Sequence, residues 1–221
     1  MQQLAIEGIC QNNYSYKGSY SPVITAVLNN KGVIDVDTVK GCRLGMSAYP
    51  EGGCYNECYA YKNATMYGID FSLSVSRRFQ GREHLNTITR QLNQYNVNWY
   101  RIGTAGDPCH DWDNTLTVCN ALRHTKKIPV IITKHWIPLS DDHLSRLKHL
   151  NAVINTSTSG LDNDHEIEYR TMQIKRIRDA GIKSVNRVVT CLFGRSQWAK
   201  EAKEKQDYLL SFPELLESQL I

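Results

Sequence analysis

From residue 99 onward the chain alternates β-prone runs with helix-like stretches, and this alternation restricts the fold more than any other feature. The β-prone runs are 99–103, 129–134, 152–157 and 183–191. Between the first two, 111–125 carries Leu116, Cys119 and Leu122 at helical spacing. Ser140 opens the next helix as an N-cap, with Asp141 and Asp142 in a first turn that favours acids, and Leu144, Leu147 and Leu150 form one face. The following helix starts near Asp164, Glu166 and Glu168, carries Ile167, Ile174 and Ile177 on its apolar face, and stops at Gly181. Residues 197–210 make the last long helix. Strands joined by helices of this length require right-handed crossovers and a parallel sheet. Upstream, 23–28 and 33–39 flank the turn signal 29–32 and predict a hairpin, while 59–67 and 77–96 are helix-like. Counting the strand before residue 40 gives at least five βα units, short of the eight of a full barrel. The expected fold is therefore α/β: a partial (β/α) barrel of about five to six parallel strands with outer helices. We expect one domain over 1–221, with 1–32 as an N-terminal extension or hairpin.

A chain of 221 residues buries a substantial core without disulfide staples. No apolar run approaches the roughly 20 residues that span a bilayer. The opening residues 1–8 lack a basic segment followed by an apolar one, so the expected location is the cytoplasm. Cysteines stay reduced there, and an odd total of seven argues against a disulfide frame. Three of the seven, Cys42, Cys54 and Cys58, fall within seventeen residues rich in glycine. The stretch reads as a loop that follows the first strand. A loop of this kind brings three thiolates to one point, where they hold three irons of a [4Fe-4S] cluster and leave the fourth open. The same thiolates suit a zinc ion with one further ligand. The plainer alternative is three ordinary buried cysteines. The net charge of +4 is mild, and local basic groups such as Arg77, Arg78 and Arg82 permit a nucleic-acid partner without showing one.

In parallel sheets the reactive edge is the carboxyl end of the strands. The residues closing these strands are Gly103, Thr104, Ala105, Gly106 and Asp107; then Thr133, Lys134, His135 and Trp136; then 155–160; and finally Asn186, Arg187 and Thr190. That list is unusually polar for strand ends and points to a ligand site. No Gly-x-Gly-x-x-Gly follows the first strand, and no nucleophile-elbow sequence is present.

The ending Gly53-Cys54 … Cys58-Tyr59-Ala60, the cysteine loop after the first strand and the repeated βα units together resemble the radical S-adenosylmethionine (SAM) superfamily. The Cys-Tyr-Ala ending is most similar to the branch holding spore photoproduct lyase-like proteins and small phage-encoded members. The likeness spans about residues 33–195, specific in the loop and looser elsewhere. Two features depart from the family's pattern. Eleven residues separate Cys42 from Cys54 and three separate Cys54 from Cys58, where the family usually has three and two. Glu57 stands where an aromatic is usual, with Tyr55 and Tyr59 nearby.

The resemblance implies a [4Fe-4S] cluster on Cys42, Cys54 and Cys58, with SAM on the open iron. It implies that Gly103, Thr104, Ala105, Gly106 and Asp107 receive the SAM amino group, an ionised Asp being an acceptor only. Ser157, Thr158 or Ser159 would meet the ribose or carboxylate. Asn186 and Arg187 would reach SAM, Arg187 pairing with its carboxylate, and Tyr59 is the candidate aromatic contact. Lys134 would contact substrate or SAM. Cys109 is a candidate hydrogen-atom donor, and His110, Trp112, His135 and Trp136 are further substrate-side candidates. The implied activity is one-electron cleavage of SAM to a 5′-deoxyadenosyl radical that abstracts hydrogen from a substrate, in an isomerase, lyase or modifying reaction. The branch and the basic groups point to a nucleotide or a modified DNA base as substrate. The implied partner is an electron donor of flavodoxin or ferredoxin type. The alternative from another class is a zinc-stabilised nucleic-acid-binding module without catalysis, its fourth ligand being Cys109 or His110.

Overall fold

The hairpin expected near the start forms, shorter than its β-prone runs: β1 (Val27–Leu28) pairs antiparallel with β2 (Ile34–Asp35). Asn29 closes the turn, its Oδ1 accepting from the backbone N–H groups of Lys31 and Val33. This computed structural model describes residues 18–47 and 58–211. After β2 the chain makes β3 (Val39–Lys40), which pairs antiparallel with β4 (Val75–Ser76) in a separate two-stranded sheet. Four further strands follow: β5 (Trp99–Ile102), β6 (Ile128–Thr133), β7 (Val153–Ser159) and β8 (Lys183–Val189). The main sheet runs β1-β2-β5-β6-β7-β8, with every pair from β2 onward parallel. The molecule is thus a mixed α/β protein built on a mostly parallel six-stranded sheet.

The helices are α1 (Arg43–Ser47), α2 (Tyr59–Met66), α3 (Arg82–Gln94), α4 (Trp112–Leu122), α5 (Asp141–His149), α6 (Asp164–Asp179) and α7 (Gln197–Ser211). Each parallel strand is added at the same growing edge, so right-handed crossovers carry the intervening helices to one face. Side-chain parity agrees. Ile102, Ile131 and Ile154 point to the helix side and join Leu92 of α3, Leu116 and Leu122 of α4, Leu147 of α5 and Ile177 of α6 in the main apolar core. The opposite face carries Arg101, Ile132, Ser157 and Arg187. Among the described residues no helix is long and apolar enough to cross a membrane.

Helix ends follow local chemistry. Ser140 caps α5 in a reciprocal box with His143, and Asn163 caps α6 in another with Glu166. Gly181, at φ 77°, ends the turn after α6. The helix expected over 77–96 begins only at Arg82, because Arg78 is held extended by backbone bonds to Pro22 and Ile24 and Gly81 sits at φ 89°. The segment 111–125 divides into a 3₁₀ turn (Pro108–Asp111), α4 and a second 3₁₀ turn (Arg123–Thr125). The expected loop at 41–60 is also partly helical. Residues 43–47 make one helical turn, with Met46 N–H donating to the Cys42 carbonyl, and α2 starts at Tyr59. Residues 48–57, with Cys54 and Tyr55 among them, lie outside the described residues.

Candidate functional site

Residues at the carboxyl ends of the parallel strands, with α1 and α2, enclose a cavity of about 260 Å³. Cys42, just before α1, and Cys58, just before α2, both line it. They belong to a small satellite core with Ala60, Ala64 and Phe71. Gly45 completes the wall there. A Cβ at that position would stand 2.7 Å from the Cys42 sulfur, so the absence of a side chain is what leaves the thiol its room.

The turn after β5 enters the cavity through Gly103, Thr104, Gly106 and Asp107. Its two glycines are required by packing. Gly103 has φ 95° and a Cβ would meet the Ile132 carbonyl oxygen at 2.2 Å; at Gly106 one would meet the Val39 oxygen at 2.7 Å. Asp37, on the segment after β2, holds this turn. Its Oδ1 accepts from the N–H groups of Gly103 and Thr104, and its Oδ2 accepts from the Thr104 hydroxyl at 2.5 Å. Ala105 contributes only backbone, its carbonyl accepting from Gly41 N–H at 2.8 Å. Asp107 is buried and works mainly inward: it accepts from Cys109 N–H at 3.0 Å, the Thr133 hydroxyl at 2.7 Å and Lys134 N–H at 2.7 Å. The Cys109 thiol bonds to it as well, so the roughly four acceptor sites of a carboxylate are occupied within the fold. Tyr59, although 66% exposed, donates its hydroxyl to the Thr104 carbonyl, and partial desolvation raises its pKa.

β7 and β8 supply the far wall. Ser157 and Arg187 are direct neighbours in register, as are Ser159 and Val189, and all four line the cavity. Arg187 has no hydrogen-bond or ion-pair partner among the described residues. Its side chain is exposed, and partial desolvation lowers its pKa, Tyr59 opposing and nearby Arg101 adding to the effect. Thr158 and Asn186 have the other parity. They face the helix side, where the Thr158 hydroxyl donates to Asn186 Oδ1 at 2.7 Å, and they do not line the cavity.

Lys134 does line the cavity, through a buried ion triad. Its Nζ lies 2.6 Å from Asp162 Oδ1, and Arg170 Nη1 lies 2.8 Å from Asp162 Oδ2. The second contact is a charge pair whose angle falls short of a hydrogen bond. Burial pushes the Asp162 carboxyl up, but Lys134 and Arg170 outweigh it and hold it below the usual carboxylate range. Arg170 also donates through Nε to the Lys134 carbonyl and stacks 4.8 Å above the ring of Trp136, another lining residue. The triad thus fixes two cavity side chains at once.

The remaining candidates lie behind the wall. Cys109 is 1% exposed and sits in the main core, where burial pushes its thiol far above the ordinary range. It stays protonated and away from the cavity. Trp112 is a core residue whose indole donates to the Ile137 carbonyl at 2.9 Å. His135 is fully buried at φ 54°, its Nε2 is 2.9 Å from the Thr156 hydroxyl, and burial lowers its pKa to about 4. Burial also lowers the pKa of His110, whose Nε2 is buried without a hydrogen-bond partner among the described residues.

Searches of protein-family models, curated proteins and solved structures return no match to this chain. The site is therefore read from its own chemistry. Among the described residues no three His, Cys, Asp or Glu side chains group as a metal site; the third cysteine of the loop, Cys54, lies outside them.

Several of these site residues carry little or no signal in the sequence itself. Asp37 follows Asp35 at strand spacing, and its parity turns it inward beside the turn it clamps. Arg170 falls on the helical face of Ile167, Ile174 and Ile177, where a charge requires a buried counter-charge; that signal was present in the sequence. Asp162, the counter-charge, sits in what looks like an ordinary Gly-Leu-Asp-Asn turn. Cys191 lines the cavity, although nothing in its sequence neighbourhood marks it.

Proposed function

We propose that this chain is a radical SAM enzyme whose [4Fe-4S] cluster is held by Cys42, Cys54 and Cys58. The carrying observation is that Cys42 and Cys58, sixteen positions apart, line one cavity together with the Gly103–Asp107 turn and the ends of β6, β7 and β8. The donor set suits the group: thiolates are the usual cluster ligands, and Gly45 clears space beside one of them. The strand order and the one-sided helices support a partial (β/α) barrel as the scaffold.

When bound, the cluster supplies an electron to SAM, whose cleavage gives methionine and a 5′-deoxyadenosyl radical. The chain's own residues bind, orient and shield. Arg187, uncompensated and partly desolvated, receives the SAM carboxylate. Asp107 presents its carboxylate to the amino group in exchange for one of its internal donors, and Ser157 and Ser159 offer hydroxyls to the ribose. Lys134 and Trp136, immobilised by Asp162 and Arg170, shape the opposing wall and exclude water. The substrate is a nucleotide or modified base, and the electron comes from a flavodoxin- or ferredoxin-type donor.

The test is anaerobic reconstitution with iron and sulfide, followed by dithionite and SAM. A brown protein that bleaches on reduction and releases 5′-deoxyadenosine supports the proposal. A colourless protein with stoichiometric zinc refutes it. The zinc-module reading retains one observation of its own, the buried His110 Nε2 that has no hydrogen-bond partner among the described residues.

A further inference from the structure

The segment that leaves the cavity wall after β8 carries a second surface. Cys191 lines the cavity, and the next residue, Leu192, is fully exposed. Phe193 and Trp198 then meet edge to face, with ring centroids 6.3 Å apart, across the turn that starts α7. Trp198 is 61% exposed, unusual for the largest apolar side chain. Arg195 lies between the two rings in sequence, and Lys200 follows Trp198 by two residues; both are exposed. Over residues 181–205 there are six basic residues, Lys183, Arg187, Arg195, Lys200, Lys203 and Lys205, against two acidic ones, Glu201 and Glu204.

An exposed aromatic pair alone fits many occupants. A net-basic setting narrows the choice to a polyanion that also offers flat apolar faces. Single-stranded nucleic acid meets both needs, because its bases stack on aromatic rings while its phosphates meet Arg and Lys. A duplex hides its base faces and would use only the charges. The position of the surface adds a directional argument. Val189 and Cys191, two cavity-lining residues, precede Phe193 by four and two positions, so the platform adjoins the rim along the chain.

We propose that the Leu192–Lys200 segment is a docking platform for single-stranded nucleic acid, with a base stacked on Trp198 and phosphates on Arg195 and Lys200. The platform presents a nucleotide to the cavity, and in that respect it rests on the cavity being the reaction site proposed above.

The binding step is tested without the cluster, so the two proposals fail separately. Fluorescence anisotropy of a labelled single-stranded oligonucleotide is titrated with the full chain as purified, beside a duplex of the same sequence. The proposal predicts that the single strand binds at least tenfold more tightly than the duplex. Trp198→Ala weakens single-strand binding by roughly tenfold, while Trp198→Phe, which keeps a stacking face, retains most of it. Arg195→Ala lowers the slope of log affinity against log salt by about one, without restoring duplex binding. Circular dichroism of Trp198→Phe and Trp198→Ala checks the fold; if Trp198→Ala unfolds, base-dependent quenching of Trp198 fluorescence, read as the loss of signal change in Trp198→Phe, replaces it. Equal affinity for single strand and duplex, no binding at low salt, or indifference to Trp198→Ala in a folded protein each overturns the proposal. 5′-Deoxyadenosine formation measured on the same preparations reports independently on the cavity chemistry.

Discussion

Replacing Asp162 with Asn removes the charge that keeps two buried cations in place. The Asp162 side chain is 0% exposed, and its partners Lys134 and Arg170 are 10% and 1% exposed at their side chains. The carboxylate also accepts from Ser159 N–H at 2.9 Å and the Ser159 hydroxyl at 3.2 Å. Asparagine keeps the shape but turns one acceptor into a donor that faces a cation or an N–H. Removing one partner of a buried pair costs about 3–5 kcal/mol; Lys134 loses its partner, while Arg170 keeps Glu166 at 3.6 Å. Lys134 has a partial escape, because deprotonation relieves an uncompensated ammonium. A net loss of about 4 kcal/mol follows. With a urea m-value of about 3 kcal/mol/M for a chain of this size, the midpoint falls by about 1.3 M. Tryptophan fluorescence reads the transition, the chain having four such residues. Adding Lys134→Met removes one orphaned cation, so the double variant is more stable than the sum of the two singles. A midpoint shift below about 0.3 M for Asp162→Asn, roughly 1 kcal/mol, would refute the assignment of the triad as a rigid support for the cavity wall.

Other predictions concern protons and thiols. His135 is buried neutral with a pKa of about 4, against about 6.5 in an unfolded chain, so below pH 6.5 the unfolded state gains a proton the folded state refuses. Stability from this group is complete above pH 6.5 and is lost as pH falls toward 4, by about 3 kcal/mol in total; His135→Asn, which tolerates the left-handed backbone, flattens urea midpoints measured from pH 7.5 to 4.5. In native, metal-free protein at pH 8, iodoacetamide labels Cys191 at the cavity but spares Cys109 and Cys119, whose buried thiols are pushed far up, that of Cys119 to about 12; peptide mass spectrometry reads the sites.

Much of the architecture was legible because strand and helix periodicities are local. The runs at 99–103, 129–134, 152–157 and 183–191 each contain or overlap a strand, and Ser140 caps its helix as its chemistry demands. Boundaries moved where long-range contacts decide them. β7 runs on to Ser159 because Thr158 and Ser159 find partners in β8, and α3 starts late because Arg78 pairs with the N-terminal segment. The site was legible as a set of strand ends, but parity sorted it. Ser157, Ser159 and Arg187 turn to the cavity while Thr158 and Asn186, adjacent in sequence, turn away. Asp107 illustrates the limit of motif reading: a carboxylate suited to a ligand amine is largely taken up by three donors of its own fold. Asp37 and Asp162 escaped notice because their partners lie 66 and 28 positions away, where no local pattern connects them.

The central claim is that Cys42, Cys54 and Cys58 hold a cluster with one iron open to SAM at the cavity. Electron paramagnetic resonance of the reconstituted, dithionite-reduced protein, recorded with and without SAM, addresses it most directly. The account predicts a reduced-cluster signal that changes shape when SAM is added and disappears in Cys54→Ala. A signal indifferent to SAM, or a protein that binds only diamagnetic zinc through the same three cysteines, would contradict it.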